Sequence, residues 1–311
     1  MIISAIRRTD IPSYYAEWFY NRMQDGYVLV RNPMNFHQIS RVNLAPEVID
    51  GIVFLTKNPS PMLSRLDELD KYTYYFQLTL TPYREDIEPG LPSKRNVIIP
   101  SFIELSNRIG ADRVIWRYDP VLLNEMYTVE KHFFYFEMLG KLLKGYTRKC
   151  IISFVDMYKN TVNNDKELKL QRIKNEDMHS LAKGFSVIAK QYGIELCTCS
   201  EQIDLSGYGI SHAHCIDKEL LEYLGNCPLN VGKDKNQRTE CGCVESIDIG
   251  AYNSCKNLCK YCYANYNANI IDRNFQAHNP TSPLLYGEVG DLDRITERKV
   301  QSFKDVQMRL F

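Results

Sequence analysis

The chain has 311 residues, of which 44% are hydrophobic and 24% are charged, as in ordinary water-soluble globular proteins. Lysine plus arginine and aspartate plus glutamate number 38 each, so no overall charge draws the protein to nucleic acid or to a membrane surface. The opening apolar run ends at Arg7 and is too short for a signal peptide or a membrane span. We therefore expect a cytoplasmic protein without a membrane segment.

Apolar segments of strand-like composition alternate along the chain with segments of helical periodicity. Strands are predicted over residues 1–6, 27–31, 51–55, 73–79, 113–116, 150–154 and 193–199, with an eighth near 244–249. Helices are predicted over residues 11–22, 61–69, 98–109, 129–143 and 177–192. This alternation favours parallel strands joined by crossover helices. The predicted fold is an α/β structure, a (β/α) barrel of the TIM type over residues 1–262, followed by an irregular C-terminal extension over residues 263–311.

Polar side chains recur where predicted strands end and helices begin, which is where a (β/α) barrel keeps its active site. Each one taken singly could be a helix cap or a turn residue. The repetition at strand after strand favours a barrel mouth. The candidates for catalysis and for binding cosubstrate and substrate there are Arg8, Asp10, Lys57, Arg117 and Glu201.

Three cysteines, Cys255, Cys259 and Cys262, lie in one short stretch, residues 255–262, which we call the cysteine loop. Thiolates are the usual ligands of iron–sulfur clusters. Three of them can hold three corners of a cubic cluster and leave the fourth iron free for a chelating cosubstrate. The alternative is zinc, which prefers four protein ligands and C-x2-C pairs such as Cys259 and Cys262. The spacing favours a [4Fe-4S] cluster.

The C-x3-C-x2-C spacing, with Tyr261 before the last cysteine, resembles the cluster motif of the radical S-adenosylmethionine (SAM) superfamily. The continuation Tyr263-Ala264 is similar to the cluster loop of spore photoproduct lyase-type enzymes. The resemblance implies that SAM binds the fourth iron and is cleaved reductively. The product would be a 5′-deoxyadenosyl radical or a transferred 3-amino-3-carboxypropyl group. An electron donor such as flavodoxin or ferredoxin is also implied.

In most members of that superfamily the cluster loop follows the first barrel strand, whereas here it follows roughly the last. The resemblance therefore implies a circularly permuted barrel, in which residues 1–6 lie beside the strand that leads into the cysteine loop. Residues 4–10, 56–59 and 116–120 also resemble a bacterial family known as a domain of unknown function, over most of the chain. The residues expected to contact the cofactor or cosubstrate are Arg7, Thr9, Asn58, Asp119, Tyr261, Lys235 and Arg238.

Four further cysteines could complete a second set of thiolates. We predict that Cys199, Cys215, Cys241 and Cys243 hold a second, auxiliary iron–sulfur cluster. The alternatives are a small zinc site or buried thiols that behave as hydrophobic side chains. Lys235 and Arg238, which precede Cys241, are expected either to bind a carboxylate or phosphate or to form a solvated loop.

The last five residues, from Gln307 to Phe311, resemble the peptide with which bacterial DNA-maintenance proteins dock on the replication sliding clamp. The alternative is an amphipathic end that packs on the barrel. The substrate, a small molecule or a nucleic acid, is left open by the sequence. A lesion-repair lyase of the same radical chemistry is the second functional hypothesis, although the neutral charge weighs against tight DNA binding. A structural or hydrolytic zinc–thiolate protein is the third.

Overall fold

A computed structural model describes residues 1–305 of the chain. The strands, in chain order, are β1 (Ile2–Ala5), β2 (Tyr27–Asn32), β3 (Asn35–Asn43), β4 (Gly51–Thr56), β5 (Tyr74–Thr79), β6 (Val114–Val121), β7 (Lys149–Phe154), β8 (Glu195–Thr198), β9 (Ser211–His212), β10 (Ile247–Asp248) and β11 (Arg294–Glu297). The α-helices are α1 (Ile11–Tyr14), α2 (Ala16–Asp25), α3 (Ser60–Leu63), α4 (Ile99–Ile109), α5 (Val129–Leu143), α6 (Lys159–Asn163), α7 (Asp165–Leu168), α8 (Asn175–Gln191), α9 (Lys218–Gly225) and α10 (Ala268–Gln276). The predicted clamp-docking peptide lies outside the described residues.

The main sheet has eight strands in the order β10-β1-β4-β5-β6-β7-β8-β9, and every neighbouring pair is parallel. The predicted mixed α/β architecture with a parallel sheet is therefore confirmed. The strand that leads into the cysteine loop, β10, pairs with β1, with Ile3 opposite Ile247, as the permuted order predicts. The sheet does not close, because β9 and β10 form its two edges. The closed TIM barrel is thus not confirmed.

The predicted strand at residues 27–31 forms, but it belongs to a separate sheet. Here β2 pairs with β3 in antiparallel register, and β11 adds to the other side of β3. The cause is the short connection between β2 and β3, since only antiparallel strands can be joined so tightly and parallel ones need a long crossover. The polar β3 (sequence Asn-Phe-His-Gln-Ile-Ser-Arg-Val-Asn) was not among the predicted strands.

Two further predictions were wrong in detail. The helix predicted over residues 11–22 is interrupted at Tyr15, whose φ of −132° is not helical. The ring of Tyr15 is buried, and its hydroxyl donates to the Ser254 carbonyl at 2.6 Å, so the interruption fastens this segment to the cysteine loop. The C-terminal extension is not irregular throughout, because it contains α10 and β11. The side chain of Asn267 caps the N-terminus of α10, and Ile271 lies on the buried face of this helix.

The main sheet is apolar on both faces, as expected for parallel strands covered on both sides. One face, which includes Phe54 and Trp116, packs against the crossover helices. The opposite face, which includes Val53 and Ile115, packs against α9 and the cysteines near residues 241–243. At Gly51 a β-carbon would lie 2.5 Å from Leu221 Cδ2, so the Leu221 side chain of α9 packs directly on the backbone of β4. In residues 1–305, no helix is long and apolar enough to cross a membrane.

Candidate metal and cofactor site

The carboxyl ends of β1 and β4 meet the cysteine loop through Asp10. One oxygen of its buried carboxylate accepts from the Ser13 amide at 3.1 Å and so caps α1. The other oxygen accepts from the Lys57 amide and from Asn257 Nδ2, each at 2.8 Å. Burial raises the pKa of Asp10 despite these hydrogen bonds. Asp10 therefore joins the segments after two strands to the centre of the cysteine loop.

The cysteine loop is fixed by hydrogen bonds from several separate elements. Tyr14 Oη donates to Asn257 Oδ1 at 2.8 Å, and the Gly90 amide donates to the Asn257 carbonyl at 3.0 Å. On the opposite side, Asn164 Nδ2 donates to the Lys260 carbonyl at 2.7 Å. Asn160 of α6 donates to the Cys262 carbonyl at 3.1 Å. The loop is thus held by surrounding structure as well as by its own turns.

The three thiols of the loop are shielded from solvent. Cys255 and Cys259 are buried and Cys262 is partly buried. Burial raises the pKa of all three, that of Cys259 to about 12. Among the described residues no hydrogen bond joins one of these thiols to another, although each repels a neighbouring thiolate electrostatically. The three thiols thus interact electrostatically, without a hydrogen bond between them among the described residues.

A buried charged group borders the loop at Glu88. Lys57 Nζ donates to its carboxylate at 2.7 Å, and Lys94, Thr81 and the Tyr261 hydroxyl also donate to it. Burial alone would raise the pKa of Glu88, but the two ammonium groups lower it to about 2. For Lys57, burial lowers the pKa, yet the attraction of Glu88 and of Cys259 outweighs burial and raises it. Two ammonium groups and one carboxylate therefore form a buried charged cluster at Tyr261 of the cysteine loop.

Three polar atoms around the loop are buried without a hydrogen-bond partner: Arg7 Nη2, Thr9 Oγ1 and Asn265 Oδ1. Buried polar groups are nearly always paired in folded proteins. Asn265 holds the Cys255 carbonyl through its amide nitrogen at 2.8 Å, and the backbone carbonyl of Arg7 accepts from Tyr263 at 2.6 Å. Asn265 Oδ1 therefore lies beside the cysteine loop and leaves capacity for a polar ligand there, whereas the Arg7 guanidinium donates to Asp234 at 2.9 Å.

Other predicted site residues already have partners in the protein. Arg8 lies 3.7 Å from Asp248 and over the Tyr252 ring. The side chain of Asn58 accepts from the Ser60 amide at 3.2 Å, so it acts as a turn residue. Its backbone carbonyl accepts from Ser13 at 3.0 Å.

A second group of predicted residues lies further along the sheet edge. Arg117 donates to Asp119 at 2.9 Å and to Gln77 at 2.7 Å. Burial would lower the pKa of Arg117, but Asp119 and nearby thiols raise it. Glu201 accepts from the Phe154 amide at 2.8 Å, and its burial raises its pKa to about 7.

The charged stretch before Cys241 lies at the surface. Arg238 pairs with Asp156 at 2.6 Å, and both side chains are about half exposed. Lys235 is exposed. Within residues 1–305 neither side chain has a hydrogen bond or ion pair to the cysteine loop.

The four remaining candidate cysteines come together although they are far apart in sequence. Cys199 Sγ and Cys215 Sγ are 3.3 Å apart. Cys215 and Cys243, and likewise Cys243 and Cys241, influence each other's pKa. Over the part of the chain that the structure describes, no group of three or more His, Cys, Asp or Glu side chains is arranged around the position of one metal ion.

Several site residues escaped sequence reasoning. Asn257 lies inside the cysteine motif, but the motif specifies only the three cysteines and the aromatic residue Tyr261. Glu88 and Lys94 lie between predicted elements and have no pattern that separates them from ordinary surface charges. Only the fold shows that Glu88 pairs with both Lys57 and Lys94.

Comparison with known sequence families shows to which family the chain belongs. Residues 2–264 match the family described as Domain of unknown function (DUF1848). The chain belongs to the DUF1848 family. No curated protein matches it. The DUF1848 region ends just after Cys262, so it includes both sets of cysteines and the polar edge of the sheet. The predicted membership of a family of unknown function is thereby confirmed, whereas radical SAM chemistry stays a prediction.

Proposed function

We propose that this DUF1848 protein is a radical SAM-type enzyme on a permuted α/β sheet. The observation that carries the proposal is the burial of Cys255, Cys259 and Cys262 in one anchored loop beside the ends of β1 and β4. In open parallel sheets, ligands bind outside the carboxyl ends of the strands. A [4Fe-4S] cluster held by these thiols, with SAM on its fourth iron, would supply the electron that cleaves a carbon–sulfur bond of SAM.

The residues around the loop have defined tasks in this proposal. Asp10 and Tyr14 fix Asn257 and hence the spacing between Cys255 and Cys259. The ammonium of Lys57 favours the thiolate forms of Cys259 and Cys262 and offsets the negative charge of the ligand set. Glu88 holds that ammonium in place and bonds to Tyr261. The buried, unpaired hydroxyl of Thr9 is assigned to the polar groups of SAM.

The experiment is anaerobic reconstitution with iron and sulfide, followed by dithionite and SAM. We expect 5′-deoxyadenosine or methylthioadenosine, which distinguish the two possible carbon–sulfur cleavages. Cys255→Ala should abolish either product. Cys227→Ala is the matched control, because Cys227 lies outside both sets of cysteines and bonds only to the Pro228 carbonyl. Wild-type protein that is loaded with iron and forms neither product would refute the proposal.

A cleft next to the cysteine loop favours a nucleic acid as one substrate class. The cleft has a volume of about 1400 Å³. Its basic lining residues are Arg7, Arg8, Arg31, Lys233, Lys235 and Arg298, and its aromatic ones are Phe36, Tyr252, Tyr266 and Tyr286. Three acidic residues also line it, Asp234, Glu245 and Asp248. A local excess of positive charge with interspersed aromatic rings suits a single strand, whose bases stack on aromatic side chains.

Binding of a fluorescent single-stranded oligonucleotide tests this substrate class. We expect the affinity to fall as salt rises from about 50 to about 200 mM, because counterions are released on binding. The double variant Lys235→Glu/Arg298→Glu should weaken binding strongly. The variant Lys183→Glu/Lys190→Glu makes the same charge change on exposed positions of α8. If both double variants weaken oligonucleotide binding equally, the binding is nonspecific electrostatic attraction, and the cleft is excluded as the binding site.

A further inference from the structure

The four cysteines outside the cysteine loop form a second thiol group, which we call the thiol row: Cys199, Cys215, Cys243 and Cys241. Cys199 directly follows β8 and Cys215 follows β9, while Cys241 and Cys243 come from the segment that covers this face of the sheet. Three distant parts of the chain thus converge on one place. Cys241 and Cys243 are buried, and the other two are partly buried.

Within the thiol row, Cys199 Sγ and Cys215 Sγ are 3.3 Å apart, and Cys215, Cys243 and Cys241 influence one another's pKa. Among the described residues no hydrogen bond joins Cys199 to Cys241 across the row. A single tetrahedral ion, with metal–sulfur bonds of about 2.3 Å, would place all four sulfurs about 3.8 Å from one another. The 3.3 Å between Cys199 Sγ and Cys215 Sγ does not match that separation, and within residues 1–305 no group of three His, Cys, Asp or Glu side chains is placed to hold a single metal ion.

The surroundings of the thiol row supply hydrogen bonds to sulfur. Arg117 Nη1 donates to Cys215 Sγ at 3.1 Å, and the Ile216 amide donates to Cys243 Sγ at 3.3 Å. Hydrogen bonds to sulfur and nearby charge are what a protein uses to tune an iron–sulfur centre. Arg117 is itself fixed by Asp119 and Gln77. A fixed guanidinium group therefore faces the row.

Two further features favour a ligand at the thiol row over four idle buried thiols. His214 Nδ1 is buried and has no hydrogen-bond partner. Its ring packs on Gly242, between Cys241 and Cys243, so closely that a β-carbon there would lie 2.0 Å from the ring. The Cys-Gly-Cys sequence thus lets the backbone approach His214. Arg7 Nη2, also unpaired, belongs to a guanidinium group that interacts electrostatically with Cys243.

We propose that the thiol row binds a second iron–sulfur centre, distinct from the cluster of the cysteine loop. The four thiolates are its ligands, and Arg117 and the Ile216 amide are the hydrogen-bond donors to its sulfurs. Tyr263 interacts electrostatically with both Cys262 and Cys215, so the two iron sites lie on either side of one tyrosine. The inference concerns residues that the proposed SAM chemistry does not use.

Iron and acid-labile sulfide per chain, together with electron paramagnetic resonance of the dithionite-reduced protein, test the inference. The triple variant Cys255→Ala/Cys259→Ala/Cys262→Ala should retain about two to four iron atoms per chain, and the wild type should hold about four more. The double variant Cys199→Ser/Cys215→Ser should lose the iron of the thiol row and retain the iron of the cysteine loop. Cys227→Ser is the control and should keep the wild-type content. Cys241→Ser, at the end of the row, should change only one of two resonance signals.

A triple variant that is folded by circular dichroism but binds no iron, or binds only zinc, would overturn the inference. So would a Cys199→Ser/Cys215→Ser protein with wild-type iron content. If the triple variant fails to fold, Cys241→Ser in the otherwise unchanged chain decides, since an unaltered resonance spectrum refutes the second centre. These results are separable from the proposed function. SAM cleavage without a second centre refutes only this inference, and two centres without SAM cleavage refute only the proposed function.

Discussion

Glu88 shows how one buried side chain can connect the fold to the candidate site. Its carboxylate is fully buried and contacts Lys57, Lys94, Thr81 and Tyr261. Buried ion pairs contribute little net stability by themselves, but removing one partner leaves uncompensated charge in the interior. Because Tyr261 belongs to the cysteine loop, the charge balance at Glu88 also bears on how that loop is held.

We predict that Glu88→Gln lowers the free energy of unfolding by about 3–5 kcal/mol, because two ammonium groups then lose their carboxylate. Urea denaturation monitored by circular dichroism measures the change. Glu130→Gln is the control, since Glu130 bonds only to Thr128 near the exposed start of α5. Iron content after reconstitution should also fall in Glu88→Gln. A variant as stable as Glu130→Gln would contradict the role assigned to Glu88.

Because His132 is buried, the free energy of unfolding depends on pH. Its ring is buried between the Tyr118 hydroxyl at 2.7 Å and the Leu122 carbonyl at 2.8 Å. Burial lowers its pKa from 6.5 to about 4. Between these two values the unfolded chain binds a proton that the folded protein does not, so this stabilisation is complete above the unfolded pKa and is lost as the pH falls.

We therefore expect the free energy of unfolding to decrease from pH 6.5 to about pH 4. In His132→Gln the total stability should be lower, and the decrease over this range should be smaller. Urea titrations at several pH values provide the measurement. The same slope in wild type and variant would show that other groups cause the acid sensitivity.

At the scale of elements, the contact between the segment around Gly90 and the cysteine loop depends on the absence of a side chain. A β-carbon at Gly90 would lie 1.9 Å from the Lys256 carbonyl oxygen, a backbone atom that cannot move without shifting the loop. Gly207 provides a comparison, because a β-carbon there meets nothing within 4 Å. Substitution by alanine reduces backbone freedom at both positions, but it causes crowding only at Gly90. Comparing the two variants therefore distinguishes the two effects.

We predict that Gly90→Ala costs about 1–3 kcal/mol of stability through overpacking and reduces the iron bound by the cysteine loop. Gly207→Ala should be close to neutral in both respects. Thermal unfolding and iron analysis are the measurements. Retention of full iron content in Gly90→Ala would show that the loop position is not set by this contact.

The main parallel strands and several helices could be predicted from the sequence, because long apolar runs and helical periodicity are local signals. Helix α5 was predicted with the observed bounds, residues 129–143. The sheet assignment of β2, the two-residue β9 and the open edge could not be predicted in the same way. These features depend on which residues meet in space. The strands β9 and β10 have two residues each and are too short to show a periodicity.

For the candidate site, the cysteines were recognisable because their spacing is a local pattern. Asn257, Glu88 and Lys94 were missed, since their importance lies in contacts across the chain. Asp10 was singled out as a strand-end residue, but its bond to Asn257, far away in sequence, appears only in the fold. Arg117 and Asp119, predicted to follow a strand that ends at residue 116, lie inside β6, whereas Glu201 follows β8 as predicted. Their distance from the cysteine loop was not predictable.

At the scale of the whole molecule, metal binding should couple to folding. The cysteine loop contacts α1, α6 and the Gly90 segment, and its thiols have raised pKa values when no metal is bound. A ligand that binds only the folded state stabilises it by RT ln(1 + L/Kd), where L is the free ligand concentration. The loop must release protons from its thiols when the metal binds.

We predict that removal of the metal from reconstituted protein lowers Tm by about 5–10 °C, the shift expected for a ligand present at about 100 times its Kd. Anaerobic thermal scans before and after chelation measure it. The Cys255→Ala/Cys259→Ala/Cys262→Ala variant should show a smaller shift, because only the thiol row could then bind iron. Equal Tm values with and without metal would contradict the coupling.

The pairing of β1 with β10 joins Ser4 to Asp248, residues at nearly opposite ends of the matched region. A ribosome synthesises the N-terminal part first, and partial chains begin to fold as they emerge. The first strand must therefore wait, with one edge unpaired, until almost all of the DUF1848 region has left the exit tunnel. A truncated nascent chain would consequently present an open strand edge to chaperones or to neighbouring copies.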